Sequence, residues 1–274
     1  MIAHEPHGKS RSAGFTHDAE LLRFFDLHLK NEDDGIASEA PVSYFTLGEN
    51  RWRTSSSWPP EDVRFERLYL SESRTLTPEP PLSETASAIA RASEFGTGER
   101  SRWRGVLAAF VAADYPDIAL RTRDQLKFES QPLSEPKRLT GHPAVHLFVR
   151  SNSSDFVVMA YLLDVSPTGS VAYVSEAQLR AVHRRESDPE PGFVPLTPCR
   201  SFLGADRAPA SPGETMRLSF GLLPTSYALP AGHRLRLVIT LGDRDHFARI
   251  GSANAEIAVF ANALSASFIE LPFS

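Results

Sequence analysis

From Pro41 onward the chain runs in short apolar stretches of period two, separated by turns that carry proline and glycine. No other feature limits the fold as much, because alternation at period two puts one face of a strand inward and the other outward. Val145, Leu147 and Val149 alternate with His146 and Phe148. Met216, Leu218 and Phe220 share one side of a later run, and Leu235, Leu237 and Ile239 one side of another. Residues 156–165 are almost wholly apolar, which predicts a strand buried on both faces. The runs at 42–47 and 67–70 are rich in aromatic and β-branched residues. Ser166-Pro167-Thr168-Gly169, Ser211-Pro212-Gly213 and Pro230-Ala231-Gly232 have turn chemistry, with proline fixing φ and glycine free to take φ > 0. Many short strands joined by such turns predict a mainly β chain, a sandwich or jelly roll.

One segment ahead of these strands has helical period instead. Thr16 is placed to cap it, Asp18 and Glu20 put negative charge in its first turn, and Leu21, Leu22, Phe25 and Leu29 form an apolar stripe. Lys30 suits its C-terminal end, and Gly35 lies in the acidic turn that follows. No helical partner is near in sequence, so this wide apolar face needs another cover. Residues 71–105 are less regular and read as a long loop with one short helix at 83–92. Residues 184–198 form a second proline-rich excursion.

Composition narrows the function classes. Hydrophobic residues make up 41% of the 274 and charged ones 23%, enough apolar material for a sizeable core. The net charge of −5 comes from mixed signs with no basic block, which argues against nucleic acid. Apolar runs such as 106–113 fall far short of the ~20 residues of a bilayer span. The first ten residues lack a charged head followed by an apolar stretch, so no signal peptide is expected. Cys199 is the sole cysteine, which excludes an internal disulfide or a cysteine-based zinc site and suits a cytoplasmic location.

A series of segments, in order, resembles a known family. Phe25-Asp26-Leu27-His28-Leu29-Lys30 is similar to a "WFDxxLKG" helix end, and Val42 to Gly48 followed by Trp52, Trp58, Pro59 and Pro60 to a strand and its "W…WPP" loop. Residues 124–133 and 139–143 are similar to the segment that opens the family's core. Leu163-Asp164-Val165-Ser166-Pro167-Thr168-Gly169 follows them. Residues 179–184 resemble an "LRxxYR" strand with His183 in the tyrosine position, 232–237 a "GHRxRL" strand and 267–272 the closing strand. Together they resemble the C-terminal part of the Xaa-Pro dipeptidyl-peptidase and cocaine-esterase (CocE/NonD-type) serine hydrolases. The resemblance implies a galactose-binding-like jelly-roll sandwich over residues 39–274. Residues 1–38, with the amphipathic helix, correspond to the end of an α/β-hydrolase domain.

That family's nucleophile sits on a G-x-S-x-G elbow. No serine here has glycines at that spacing; Gly8-Lys9-Ser10-Arg11-Ser12 fails at its last position. The chain alone is therefore expected to be inactive. The resemblance implies an upstream α/β-hydrolase domain as partner, in cis or as a split chain, whose cleft this domain helps to wall. It also implies a small acyl or peptide substrate for the whole enzyme, and no cofactor. His7, followed by Gly8, stands where the resemblance places the catalytic base, the other reading being a solvent-exposed terminal histidine. An isolated chain should leave the helix's apolar face exposed or mobile, or cover it in a homodimer.

Asp243-Arg244-Asp245-His246 brings metal-ligand residue types together, but an arginine interrupts a single loop and no metal is expected. The loop reads as solvated, or as a cleft lining in which His246 and Phe247 face substrate. His233 beside Arg234 and Arg236 reads as a hydrogen-bonded turn histidine on a polar strand face. Trp52, Trp58 and Trp103 are candidate sugar platforms under the alternative of a free-standing carbohydrate-binding module. The helix separates the two readings, since a free-standing module has no use for it.

Overall fold

The computed structural model describes residues 16–32, 34–85, 87–104 and 113–274. His7 and most of the apolar run 106–113 lie outside the described residues. The expected helix is present as α1 (His17–Phe25), continued by a π turn at Asp26–Lys30. Asn31, at φ 57°, takes the left-handed conformation that ends it. Thr16 occupies the N-cap position, but its hydroxyl makes no capping hydrogen bond.

The rest of the described chain is mainly strand. β1 (Val42–Thr46) and β2 (Arg51–Ser55) make a separate antiparallel hairpin. Then follow β3 (Arg64–Leu70), β4 (Thr75–Thr77), β5 (Ser87–Arg91), the one-turn helix α2 (Ile118–Arg121), β6 (Leu126–Ser130) and β7 (Lys137–Gly141). β8 (Ala144–Ser151), β9 (Val157–Val165), β10 (Val171–Arg180), β11 (Thr215–Gly221) and β12 (Thr225–Leu229) come next. β13 (Arg234–Thr240), β14 (Glu256–Asn262), β15 (Ser265–Ala266) and β16 (Phe268–Phe273) complete the chain.

One hydrogen-bonded path runs β10-β9-β13-β6-β4-β3-β16-β8-β14, with β11 on β8, β5 on β14 and β7 between β16 and β12. It folds into a sandwich. Ala160, Leu162, Leu235, Leu237 and Ile239 share one buried cluster with Leu147, Leu218, Ile257 and Ile269, although their strands do not pair. Such contacts arise only between facing layers. The short β4 carries the path from one layer to the other through its parallel pairing with β6.

β9 is buried along its whole length, as its composition predicts. Val158, Ala160 and Leu162 face the main core. Val157, Met159, Tyr161 and Leu163 face outward into a second apolar cluster, covered by Phe95, Tyr115 and Ile118 from an irregular segment. The turn after β9 also follows expectation: Gly169 has φ 84°, and its N–H bonds the Ser166 carbonyl at 2.9 Å.

Two local expectations are corrected. The described residues of the segment 83–92 contain no helix; Ser87–Arg91 is strand β5, paired with β14, with Ala88 and Ala90 turned into the core. The alanines favour a helix locally, but a free strand edge offers them both backbone partners and burial. Residues 179–184 are not all strand either: β10 ends at Arg180, and Ala181–His183 is a 3-10 turn. No helix among the described residues is long and apolar enough to cross a membrane.

Candidate functional site

Helix α1 carries an apolar face that nothing in the described chain covers. Leu21, Leu22, Phe24, Phe25 and Leu29 are 54, 58, 48, 48 and 77% exposed. Neither buried cluster contains a residue of the helix. Polar contacts hold it: Arg23 pairs with Glu20, with Asp34 at 2.9 Å and with Glu39 at 2.5 Å. These are pairs on a solvated surface, of the kind worth little each. They orient the helix without covering its other side. A cleft of about 730 Å³ opens between Glu20 and Glu39 on the helix side and Arg51 and Arg53 of the hairpin, with Arg138 of β7.

The tryptophans are engaged within the fold. The Trp58 indole donates to His142 Nε2 at 3.0 Å and meets Tyr44 edge-on at 5.4 Å. Trp52 meets Phe45 edge-on at 5.5 Å, and Trp103 meets Phe247 at 5.0 Å. Each is half-buried: Trp52 packs within the hairpin, and Trp58 and Trp103 anchor the segments that carry them.

The 243–246 loop is solvated only in part: Arg244 and Asp245 are exposed as expected, but Asp243 is buried and accepts from the Thr97 backbone at 3.2 Å and from the Thr97 hydroxyl. Asp245 accepts from the Gly98 N–H at 2.8 Å and lies 3.6 Å from Arg121. His246 Nε2 lies 2.9 Å from the Gly98 carbonyl and 2.8 Å from Ser101 Oγ. The carbonyl can only accept, so Nε2 carries the proton, and this serine–histidine pair is not a nucleophile and its base. Ser101 is also buried. Asp243, Asp245 and His246 thus fasten residues 97–101, which lie next to the cover over β9, β10 and β13. Among the described residues no group of metal-ligating side chains converges.

Phe247 is half-buried against Trp103 and borders a cavity of about 150 Å³ with Leu241 and Ile250. Arg244 and Arg249 stand at its rim, both paired with Glu94. His246 and Phe247 are neighbours on this loop, and the histidine commits its Nε2 to Gly98 and Ser101.

Sequence reasoning misses one group. Glu176 on β10 is 1% exposed and accepts the Tyr115 hydroxyl at 2.7 Å. The Arg102 guanidinium lies 4.0 Å away, and Tyr115 stacks on Tyr173 at 4.1 Å. Burial pushes the Glu176 carboxyl up to about 7; the Asp243 charge adds to the rise, and Tyr115, Arg102 and the Trp103 indole oppose it. Tyr173 and Glu176 are three apart and would face opposite ways in a regular strand. A β-bulge between Tyr173 and Ser175 turns both outward. The sequence signal was a carboxylate between Val174-Ser175 and Ala177 in a strand that starts on an apolar run.

Residues 34–257 match the family model of the X-Pro dipeptidyl-peptidase C-terminal non-catalytic domain. The chain is 44% identical over 259 residues to a provisionally named serine esterase of Mycobacterium bovis, across 94% of this chain and 41% of that protein. It is 25% identical over 244 residues to the cocaine esterase of a Rhodococcus species, across 86% of this chain and 40% of that one. An aminopeptidase from a marine-sediment Thaumarchaeota archaeon shares its fold. The TM-score is 0.74 at 20% identity, over 99% of this chain and 47% of that one. The chain spans about two-fifths of the length of the curated relatives it matches.

Proposed function

Because the chain belongs to the X-Pro dipeptidyl-peptidase C-terminal domain family, we propose that its sandwich docks through α1 on an upstream α/β-hydrolase domain and walls that domain's cleft. The whole protein is then a serine hydrolase of acyl or peptide substrates, with a sandwich of jelly-roll, galactose-binding-like type from residue 39. Residues 1–38 are the end of the hydrolase domain, with His7 as its general base. The carrying observation is the uncovered face of Leu21, Leu22, Phe24, Phe25 and Leu29. An apolar stripe of this width is retained where a second surface buries it. The boundary is supported by the buried clusters, whose members among the described residues all lie beyond it. Phe247 and Trp103 form the corner proposed to face the acyl group.

The test combines the full chain with the separately expressed hydrolase region of the mycobacterial relative. Alone, the chain should hydrolyse p-nitrophenyl acetate no faster than buffer. Together, the two should co-purify as an active esterase. Leu22→Glu with Phe25→Glu should abolish co-purification without lowering the chain's melting temperature. Turnover by the chain alone, or undiminished assembly of the double variant, would overturn the proposal.

A further inference from the structure

The outer faces of β9, β10 and β13 are covered by two irregular segments, 95–104 and 113–122, and two buried carboxylates hold them down. Asp243 takes Thr97. Glu176 takes the Tyr115 hydroxyl, and the Tyr115 oxygen in turn accepts the Arg102 backbone N–H at 3.1 Å. Both segments therefore converge on Glu176. Asp245 and His246 add bonds to Gly98 and Ser101, and Arg121 donates to the Gly96 carbonyl at 2.9 Å. The apolar contacts of Phe95, Tyr115 and Ile118 with Met159, Tyr161 and Tyr173 complete the cover.

We propose that the two segments are a proton-locked strap, closed over the sheet while Glu176 is protonated and loosened when it ionises. A carboxylate sealed in this apolar layer has lost its water, and the groups around it replace only part of that hydration. Arg102 and Trp103 on the strap favour the charge; Asp243 beyond β13 opposes it. Tyr173 on β10 and Tyr161 on β9 also face the site, and burial holds both phenols neutral throughout the physiological range. Loosening the strap admits water to Glu176 and relieves the penalty. It also frees the corner that Trp103 forms with Phe247. The lock belongs to the sandwich itself and needs no docked hydrolase domain.

The sign follows from linkage. The carboxyl titrates near 7 when covered and near its ordinary 4.5 when water reaches it. Closing therefore takes up a proton between those values, and the closed strap is favoured progressively less as pH rises from 4.5 to 7, with little further change above. Hydrogen exchange of the full chain at pH 5, 6, 7 and 8, corrected for intrinsic rates, reads this directly. Opening of peptides from 95–104 and 113–122 should increase roughly fortyfold between pH 5 and 7 and only about twofold more by pH 8, while β9 and β13 stay protected. Glu176→Gln should stay closed with no such window. Tyr115→Phe, which removes a donor to the charged form, should move the window to higher pH. His246 also bonds the strap, so a window retained in Glu176→Gln assigns the effect to histidine and overturns the lock. If that variant does not fold, direct titration of the Glu176 carboxyl by NMR decides. A value near 7 supports the lock and one below 5.5 overturns it.

Discussion

Asp243 has both carboxylate oxygens engaged inside the protein, with the Thr97 backbone and hydroxyl on one side and its own turn's Asp245 N–H at 3.1 Å. Removing it strands donors that have no water to turn to. Asp243→Ala should therefore cost about 2–4 kcal/mol, and Asp243→Asn clearly less, because the amide oxygen still accepts. Urea unfolding of the full chain checks this, and an alanine variant within 0.5 kcal/mol of wild type would show that the contacts contribute little. Phe247 is the residue-scale test of the proposed cleft. In the enzyme reassembled with a hydrolase domain, Phe247→Ala should shift the ratio of kcat/KM between large and small acyl esters by about 10-fold. A ratio held within twofold would leave Phe247 as a prop for Trp103 alone.

At the scale of elements, α1 and β10 differ in how much of their role is local. The period and first-turn charge of α1 are visible in sequence, and so is the width of its apolar face. That its apolar side chains find no cover depends on where the rest of the chain goes. β10 is the opposite case. Its outer face works only because one extra residue between Tyr173 and Ser175 resets the alternation. Deleting Val174, the residue skipped in the pairing with β9, should restore a regular strand in which Tyr173 and Glu176, then two apart, both stay on the outer face. Because Val174 is also buried in the core, the deletion should cost about 1–3 kcal/mol in urea unfolding. A variant that loses the outer-face cluster as well would contradict this register.

For the whole molecule, the two chain ends carry unequal weight. β16 pairs with β3, β7 and β8 and puts Ile269 and Leu271 into the core. Deleting residues 268–274 should abolish the cooperative near-ultraviolet signal of a packed core. Among the described residues, none of 1–38 belongs to either cluster, so deleting that stretch is the contrasting test. The deletion should change stability by no more than about 1 kcal/mol and suppress concentration-dependent association, both read by thermal melts and sedimentation. The strands at 145–149, 156–165, 216–220 and 235–239 were legible because alternation and continuous apolarity are local consequences of which faces are buried. The helix was legible for the same reason. The strand at 87–91, the pinning of Asp243 and His246 and the outward turn of Glu176 were not. Each depends on a partner far along the chain: Ser87 on Phe260, Asp243 on Thr97, Glu176 on Tyr115. Periodicity in the sequence decides which way a side chain points within its own element. Only the folded sandwich decides what it meets there, and so whether a charge is solvated, paired or sealed away from water.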